Sequence, residues 1–410
     1  MEKKKNKTVS QSAVKIVVVA VISLLLLIPL VMIKALISDR QSSKSEVERE
    51  IEHAYGTSQT IASPYISSTV IEEGTGSELN NCTDCANISY ETKLDVKKLH
   101  RSIYDVIVYS SNTDMKGVFT IGKDVMNAKR NRVFLKIRDF KGLTNISQLL
   151  FGGNTYKMIK EGEYLVADVE LPQNIKEGDK IDFALQVALN GTESITFYTD
   201  AEETLINISS NYEHPSFYGD FLPLERSVTS DGFKASWSIS EMNIPLYAAE
   251  VGVSLVDPAN SYQKTMRSAK YGILIILLVF VASLFVEFLT RKEINIVQYI
   301  VIGLSLVLFY SMLLALSEFI SFGYAYLISA IMTIGALIFY FREILKNKSA
   351  YLLGLFVTLV YIMNYILLSM EIFSLLTGSL VLFVLLCMVM YLTANLNKSE
   401  GNKVESENKL

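Results

Sequence analysis

Hydrophobic positions are spread unevenly along this chain. From Tyr271 to Leu392 they form one apolar block cut by four short polar breaks. The pieces are Tyr271–Thr290, Ile296–Leu316, Tyr324–Phe341, Tyr351–Met370 and Ile372–Leu392. Each is close to the roughly 20 apolar residues that cross a hydrocarbon core of about 30 Å. Lipid offers no hydrogen-bond partners, so each piece must satisfy its own backbone as a helix. The soluble alternative needs five consecutive fully buried helices in one small core. The pattern therefore predicts a five-helix membrane bundle over 271–392.

A further apolar run, Ile16–Ile33, is interrupted only by Ser23 and Pro29 and follows the basic head MEKKKNK. A cleaved signal has a shorter apolar core of about 7–15 residues and a small-x-small cleavage site. This run is longer and no such site follows, so an uncleaved transmembrane anchor over 16–36 is expected. Pro29 removes one helix hydrogen bond and marks a site for a kink. With six spans, Lys3–Lys7, Arg291, Lys292, Arg342, Lys346, Lys348, Lys398, Lys403 and Lys409 fall on one side. The opposite turns, Ser317–Gly323 and near Glu371, carry no lysine or arginine. Positive charge marks the cytoplasmic side. Both termini are expected there, with 1–15 a basic cytoplasmic segment and 393–410 a polar, disordered cytoplasmic tail.

Residues 37–256 have a different period and are expected outside. Asp39–His53, rich in glutamate, predicts a solvated helical extension of the anchor. Beyond it, apolar residues alternate with polar ones, as in half-buried strands. Val133, Leu135 and Ile137 form one such face, with Arg132, Lys136 and Arg138 among those opposite. Phe183, Leu185, Val187 and Leu189 form another; Phe233, Ala235, Trp237 and Ile239 a third; Val251, Val253 and Leu255 a last. Gly152-Gly153, Glu161-Gly162, Glu177-Gly178, Asn190-Gly191 and Asp231-Gly232 are the expected turns, Asn-Gly being the strongest hairpin signal. The expected fold is an all-β, sandwich-like domain of one or two sheets. Asp257-Pro258 is a helix start. With no later proline and no glycine before Tyr271, a linking helix over 257–270 should run unbroken into the second span.

Composition changes little. The chain has 410 residues, is 50% hydrophobic and carries a formal charge of −4, which gives no reason to invoke nucleic acid. Its three cysteines and three histidines are too few for a metal cluster or a dense disulfide framework. There is no GxSxG elbow, no HExxH and no phosphate-binding loop ending in Lys-Ser or Lys-Thr. No catalytic residue, cofactor or metal is therefore assigned.

Three features could carry function. Cys82-Thr83-Asp84-Cys85 is a CxxC whose neighbours read as a turn; in an oxidising compartment it is a candidate structural disulfide, with free thiols or redox work as the other readings. His214–Pro223, HPSFYGDFLP, is an unusual stretch outside the bundle. Either it is an ordered loop whose Phe217 and Phe221 plug the β core while Asp220 caps a turn, or His214 and Asp220 line a binding surface. Within the spans, Glu287 lies near the inner end close to Arg291, and Glu318 and Glu371 lie at the outer edge. Mid-depth carboxylates, which would suggest ion transport, are missing. Asn364 is the polar group nearest mid-depth and is expected to hydrogen-bond a neighbouring helix. Gly303, Gly335, Gly354 and Gly378 suit close helix packing.

HPSFYGDFLP, then Gly232–Trp237 (GFKASW), then Tyr262-Gln263 and Arg267-x-x-Lys270-Tyr271 leading into a span, resemble the CreD family. So do Gly303-Leu304-Ser305-Leu306, Phe309-Tyr310 and Leu314–Glu318. The order of parts is also similar: an anchor, a large external β domain, five further spans. The resemblance is densest from about Asn211 to Tyr324. It implies a bacterial inner-membrane protein tied to cell-envelope integrity and tolerance of envelope stress, with no established enzymatic activity. The candidate functional residues are His214, Pro215, Phe217, Gly219, Asp220, Trp237, Glu318 and Asn364. The expected partners are the lipid bilayer and another envelope protein or cell-wall component. Two alternatives stay open: a transporter or its accessory subunit, and an enzyme acting on lipid or cell-wall precursors at the outer leaflet through His214, Asp220 and Glu318.

Overall fold

A computed structural model describes residues 2–71, 77–244, 248–255, 261–290 and 292–369, with Ser379, Phe383 and Met390. The chain divides into two units, one of Met1–Ser43 with Ala259–Leu410 and one of Lys44–Pro258.

The first unit is helical. Its N-terminal helix runs Glu2–Leu25 and, after an irregularity at Leu26, Leu27–Tyr55, of which the residues from Lys44 belong to the second unit. Pro29 explains the irregularity: it offers no N–H to the carbonyl four residues back, at Leu25, and its ring crowds that carbonyl. Asp39–His53 is helical. The remaining helices are Ser261–Lys270, Gly272–Thr290, Ile296–Ser317, Phe322–Leu345 and Ser349–Ser369. Four helices are long and apolar enough to cross a membrane, and a bent pair, Ser261–Lys270 with Gly272–Glu287, makes up to five. The expected span Ile372–Leu392, Glu371, Arg291, Asp257-Pro258, Gly378 and the tail from Asn397 lie outside the described residues.

The linking helix does not run unbroken into its span. It bends by 42° at Tyr271. The Tyr271 N–H donates to the Ser268 carbonyl, a tighter three-residue turn, and Gly272 follows at once. Glycine is one of the few residues at which helices kink, and Gly272 stands just past the expected linking helix. Gly272 and Gly303 are also points of close approach. A Cβ at Gly272 would stand 2.8 Å from Leu30 Cδ1, and one at Gly303 would stand 2.1 Å from Leu26 Cδ1. The anchor is thus seated on the bundle through glycines. Gly354 is similarly pressed by Ile338, whereas Gly335 has nothing within 4 Å and is not a packing point.

The second unit is built of three sheets rather than one or two. The largest, nine-stranded, orders Glu225–Thr229, Gly232–Ser240, Glu203–Ser210, Asn87–Arg101, Tyr104–Thr120, Lys180–Thr192, Leu149–Phe151 and Asn154–Tyr156, with Leu143–Ile146 also on Lys180–Thr192. A five-stranded sheet orders Ile159–Glu161, Tyr164–Val169, Arg130–Lys136, Tyr65–Ile71 and Glu78–Thr83. A four-stranded sheet orders Gln59–Ala62, Ser194–Thr199, Ala249–Leu255 and Pro215–Gly219. Their inner faces share one core. Every apolar position read from the alternation is buried there, including Val133, Leu135, Phe183, Val187, Trp237 and Val253.

One expected turn is not a turn. Asn190 and Gly191 lie inside the strand Lys180–Thr192, opposite Ser110 and Tyr109. The chain bends at Glu193, which takes φ +58°, and passes into another sheet. Gly191 is needed for another reason: a Cβ there would stand 2.5 Å from the Tyr109 hydroxyl. Gly152-Gly153, Glu161-Gly162, Glu177-Gly178 and Asp231-Gly232 do turn, each with a glycine at positive φ.

Candidate functional site

The HPSFYGDFLP segment is only partly a loop. Pro215–Gly219 is an edge strand paired with Ala249–Leu255, and Asp220–Pro223 is irregular. Proline suits the start of an edge strand, where no ladder hydrogen bond is lost. The Phe217 ring meets Phe233 edge-on at 5.6 Å and Trp237 at 5.7 Å. Trp237 donates from Nε1 to the Phe221 carbonyl at 3.1 Å. Phe217 and Phe221 both pack on the β core. At Gly219 φ is +111°, and a Cβ would stand 2.1 Å from the Glu250 carbonyl oxygen. Asp220 then ties the strand end to Glu250: its N–H donates to the Glu250 carbonyl at 2.7 Å, and its Oδ2 accepts from the Glu250 N–H at 2.9 Å. His214, at the other end, has its ring edge-on to Tyr212 and lies 3.7 Å from Glu213 Oε1. His214 and Asp220 are six positions apart on extended chain, about 20 Å. They do not converge on one reactive centre.

In the helical unit, Asn364 does join neighbouring helices. Its amide donates to the Tyr326 hydroxyl at 3.0 Å and to Ser268 Oγ at 3.3 Å. Tyr326 donates onward to the Tyr361 carbonyl at 2.8 Å. Phe309 stands at the hub, with the rings of Tyr310, Tyr326 and Tyr361 all within 5.3 Å. Around it, Thr265 Oγ1, Tyr310 OH, Ser329 Oγ, Tyr361 OH and Asn364 Oδ1 are buried with no hydrogen-bond partner among the described residues. Glu318 accepts from the Tyr262 hydroxyl at 3.2 Å and lies 3.6 Å from Arg40 Nε. Glu287 pairs with Lys15 and accepts from the Tyr299 hydroxyl at 3.0 Å. Among the described residues, the cation paired with it comes from the anchor, which no local reading of the Glu287–Arg291 stretch could supply.

The cysteine pair is not a disulfide in this structure; both thiols are free. Cys82 sits in the strand Glu78–Thr83 opposite Ser67 with its side chain exposed, not in a turn. Cys85 is buried, and its thiol donates to the Pro64 carbonyl at 2.9 Å. Pairing in a strand points the first thiol outward while the second turns into the core. Burial, then the Asp200 and Asp84 charges, pushes the Cys85 thiol well above its ordinary range, and burial with Asp84 raises Cys82 too. An activated redox pair needs the opposite. Asp200 is itself pushed up to about 6 by burial and by Asp84.

One feature escaped the sequence. A cavity of about 1000 Å³ opens in the β unit where the end of the Arg130–Lys136 strand meets the edge strand Ile159–Glu161. Ile137 turns inward and bridges Ile61, so Lys136 and Arg138 turn outward into the cleft. The Arg138 N–H donates to the Thr60 carbonyl at 3.1 Å. A short turn, Phe140–Gly142, follows. Asp139 holds that turn, accepting from the Lys141 N–H at 2.9 Å and the Thr57 N–H at 2.9 Å. Burial alone would raise the Asp139 carboxyl, but these hydrogen bonds and the Lys141 charge leave it below its ordinary value. Lys160 reaches across, its Nζ 4.5 Å from the Phe140 ring centroid. Tyr198 forms another wall and is 42% exposed. Alternation marked Lys136 and Arg138 as an outward face; nothing local joined them to Lys160.

The family model for the inner membrane protein CreD matches residues 11–399. The chain belongs to the CreD family. The curated inner membrane protein CreD of Escherichia coli (strain K12) is 30% identical to this CreD family member over 417 residues, covering 91% of each. It is accordingly an inner-membrane protein with several apolar helices. Among solved structures, an M1 zinc metallopeptidase from Deinococcus radiodurans is 9% identical over 42% of this chain and 42% of its own, with a TM-score of 0.22. A mutant of that enzyme bound to a peptide substrate is 8% identical over 46% and 53%, also at 0.22. The chain spans about half or less of those structures, and likeness at that level supports no statement about this CreD family member. Among its described residues, no three histidine, cysteine, aspartate or glutamate side chains group to hold a metal ion.

Proposed function

We propose that this CreD family member supports cell-envelope integrity and tolerance of envelope stress as a binding protein, without catalysis. Its six spans place both termini in the cytoplasm and the β unit in the periplasm, where that unit holds another envelope protein or a cell-wall component. The observation that supports this reading is the cleft beside Arg138 and Tyr198: it has room for a ligand and is lined by no nucleophile–base pair. The test is photo-crosslinking in intact cells from position 198, with position 228 on the exposed edge strand as the control. A discrete envelope species captured at 198 and not at 228 supports the reading. No species captured from the cleft overturns it.

A second reading, a transporter or its accessory subunit, draws on five buried polar atoms of the helical unit, Asn364 Oδ1 among them, that lack a hydrogen-bond partner among the described residues. Reconstituted vesicles would then move a solute or lipid, and Glu318→Ala would change the rate. Identical leakage with and without the protein removes it.

A further inference from the structure

We infer that the cleft takes an anionic saccharide chain, held by Arg138, Lys141 and Lys160 against the Tyr198 ring. This rests on the β unit being a periplasmic binding unit, and deepens that reading by naming the ligand's chemistry.

Charge comes first. The cleft is lined by four cations, Lys136, Arg138, Lys141 and Lys160, against two acids, Asp139 and Glu163. Glu163 is engaged by Lys136 at 3.6 Å. Asp139 stays ionised, fixed on the Thr57 and Lys141 backbone and beside the Lys141 charge. Cations still outnumber acids in the lining, and no carboxylate among the described residues lies within ion-pair distance of Arg138, Lys141 or Lys160. Such an excess of like charge is partly relieved by an anion that enters.

Shape comes second. Small-ligand sites occupy about 300–1,000 Å³, and this cleft stands at the top of that range at about 1000 Å³. It has room for more than one ring. Tyr198 offers a half-exposed ring, and Phe140 carries Lys160 over its face. An aromatic wall with charged donors beside it suits a ligand that is both flat-faced and ionised, such as an acidic sugar.

An acidic protein segment is the competing occupant, and the backbone disfavours it. A peptide binds a sheet by adding a strand along a free edge. The outer side of Gln59–Ala62 is already bonded, through the Thr60 carbonyl, to Arg138. The other edge, Ile159–Glu161, is three residues long and carries Lys160, which is how edges are blunted against pairing. Recognition is left to side chains.

The experiment uses the full-length protein in lipid nanodiscs and three soluble probes: tetragalacturonate, neutral maltotetraose and hexaglutamate. Binding is read by thermophoresis. Tetragalacturonate should bind, maltotetraose should not, and hexaglutamate should bind more weakly than tetragalacturonate. The Lys141→Glu/Lys160→Glu variant should weaken tetragalacturonate by at least about tenfold, and salt should weaken it in the unaltered protein. Both positions are exposed, so folding is checked by an unchanged melting temperature; Lys141→Gln/Lys160→Gln, expected to lose less, is the second variant. Equal binding of the neutral and acidic sugars, or no effect of charge reversal, overturns the inference. Tighter binding of hexaglutamate overturns it in favour of an acidic protein. A neutral species cross-linked at position 198 would leave the binding role standing while removing this ligand class.

Discussion

The Asn364 amide donates to the Tyr326 hydroxyl at 3.0 Å, joining the helix Ser349–Ser369 to the helix Phe322–Leu345. The same amide holds Ser268 on the linking helix. Polar contacts between helices in lipid average well under 2 kcal/mol. Asn364→Ala should therefore destabilise the helical unit by about 1 kcal/mol. Tyr361→Phe removes a buried hydroxyl that has no partner among the described residues. Deleting an unsatisfied buried group at constant shape is neutral or stabilising. Denaturant titration in detergent checks the pair; a large loss of stability for Tyr361→Phe would show that its hydroxyl is satisfied.

Lys15 and Glu287 make an ion pair between the anchor and the helix Gly272–Thr290, with the glutamate side chain only 9% exposed. Removing one member of such a pair strands a charge. Glu287→Ala should cost about 3 kcal/mol, and Lys15→Ala a similar amount. The double substitution should cost less than the sum, because the second change removes the stranded partner. A double-mutant cycle on thermal unfolding measures the coupling, and strict additivity would contradict the pairing.

Gly219→Ala should destabilise the β unit by at least about 2 kcal/mol. The residue takes φ +111°, and the added methyl would press on the Glu250 backbone, which cannot move without breaking the sheet ladder. Gly153, at φ +88° with nothing within 4 Å of a Cβ, has strain without the clash. Gly153→Ala should cost less than Gly219→Ala in the same unfolding measurement.

Asp200 links stability to pH. Its carboxyl is pushed from 3.8 up to about 6, first by burial and then by Asp84. The folded state therefore holds this proton more tightly than the unfolded chain does. Between about pH 4 and 6 the folded form binds more protons, so this group's contribution to stability falls as pH rises and is lost above that window. Asp200→Asn should raise the melting temperature at pH 7.5, have little effect at pH 4, and flatten the slope between. A larger gain at pH 4 than at pH 7.5 would reverse the assigned sign.

The two cysteines should react differently. Cys82 is exposed and Cys85 buried with its thiol bonded to Pro64. In the folded protein a maleimide should modify Cys82, slowly because its thiol is raised, and leave Cys85 unmodified until denaturation. Mass spectrometry of the labelled peptide decides it. Resistance of both until a reductant is added would indicate a disulfide.

Much of this molecule is legible in its sequence. The stretches Val133–Ile137, Phe183–Leu189 and Phe233–Ile239 carry a two-residue period, which only a strand with one buried face requires, and all three are such strands. The apolar helices followed from length alone. What misled was local chemistry with two uses. Asn190-Gly191 looked like a turn because glycine tolerates positive φ, yet this glycine serves the approach of Tyr109. The linking helix bends because Gly272 sits just past its end. HPSFYGDFLP looked like a loop because proline and glycine punctuate it, yet both suit a short edge strand.

Alone, the amino-acid order determined which segments could live in lipid and which faces of the strands turn inward, because burial of apolar side chains obeys the repeat of the backbone itself. Tertiary structure decided which groups meet: Lys15 with Glu287, Ser268 with Asn364, and Lys160 with Arg138 and Lys141 around one cleft. Those groups are separated by tens to hundreds of positions, and no periodicity along a chain encodes a meeting that depends on how separate elements pack.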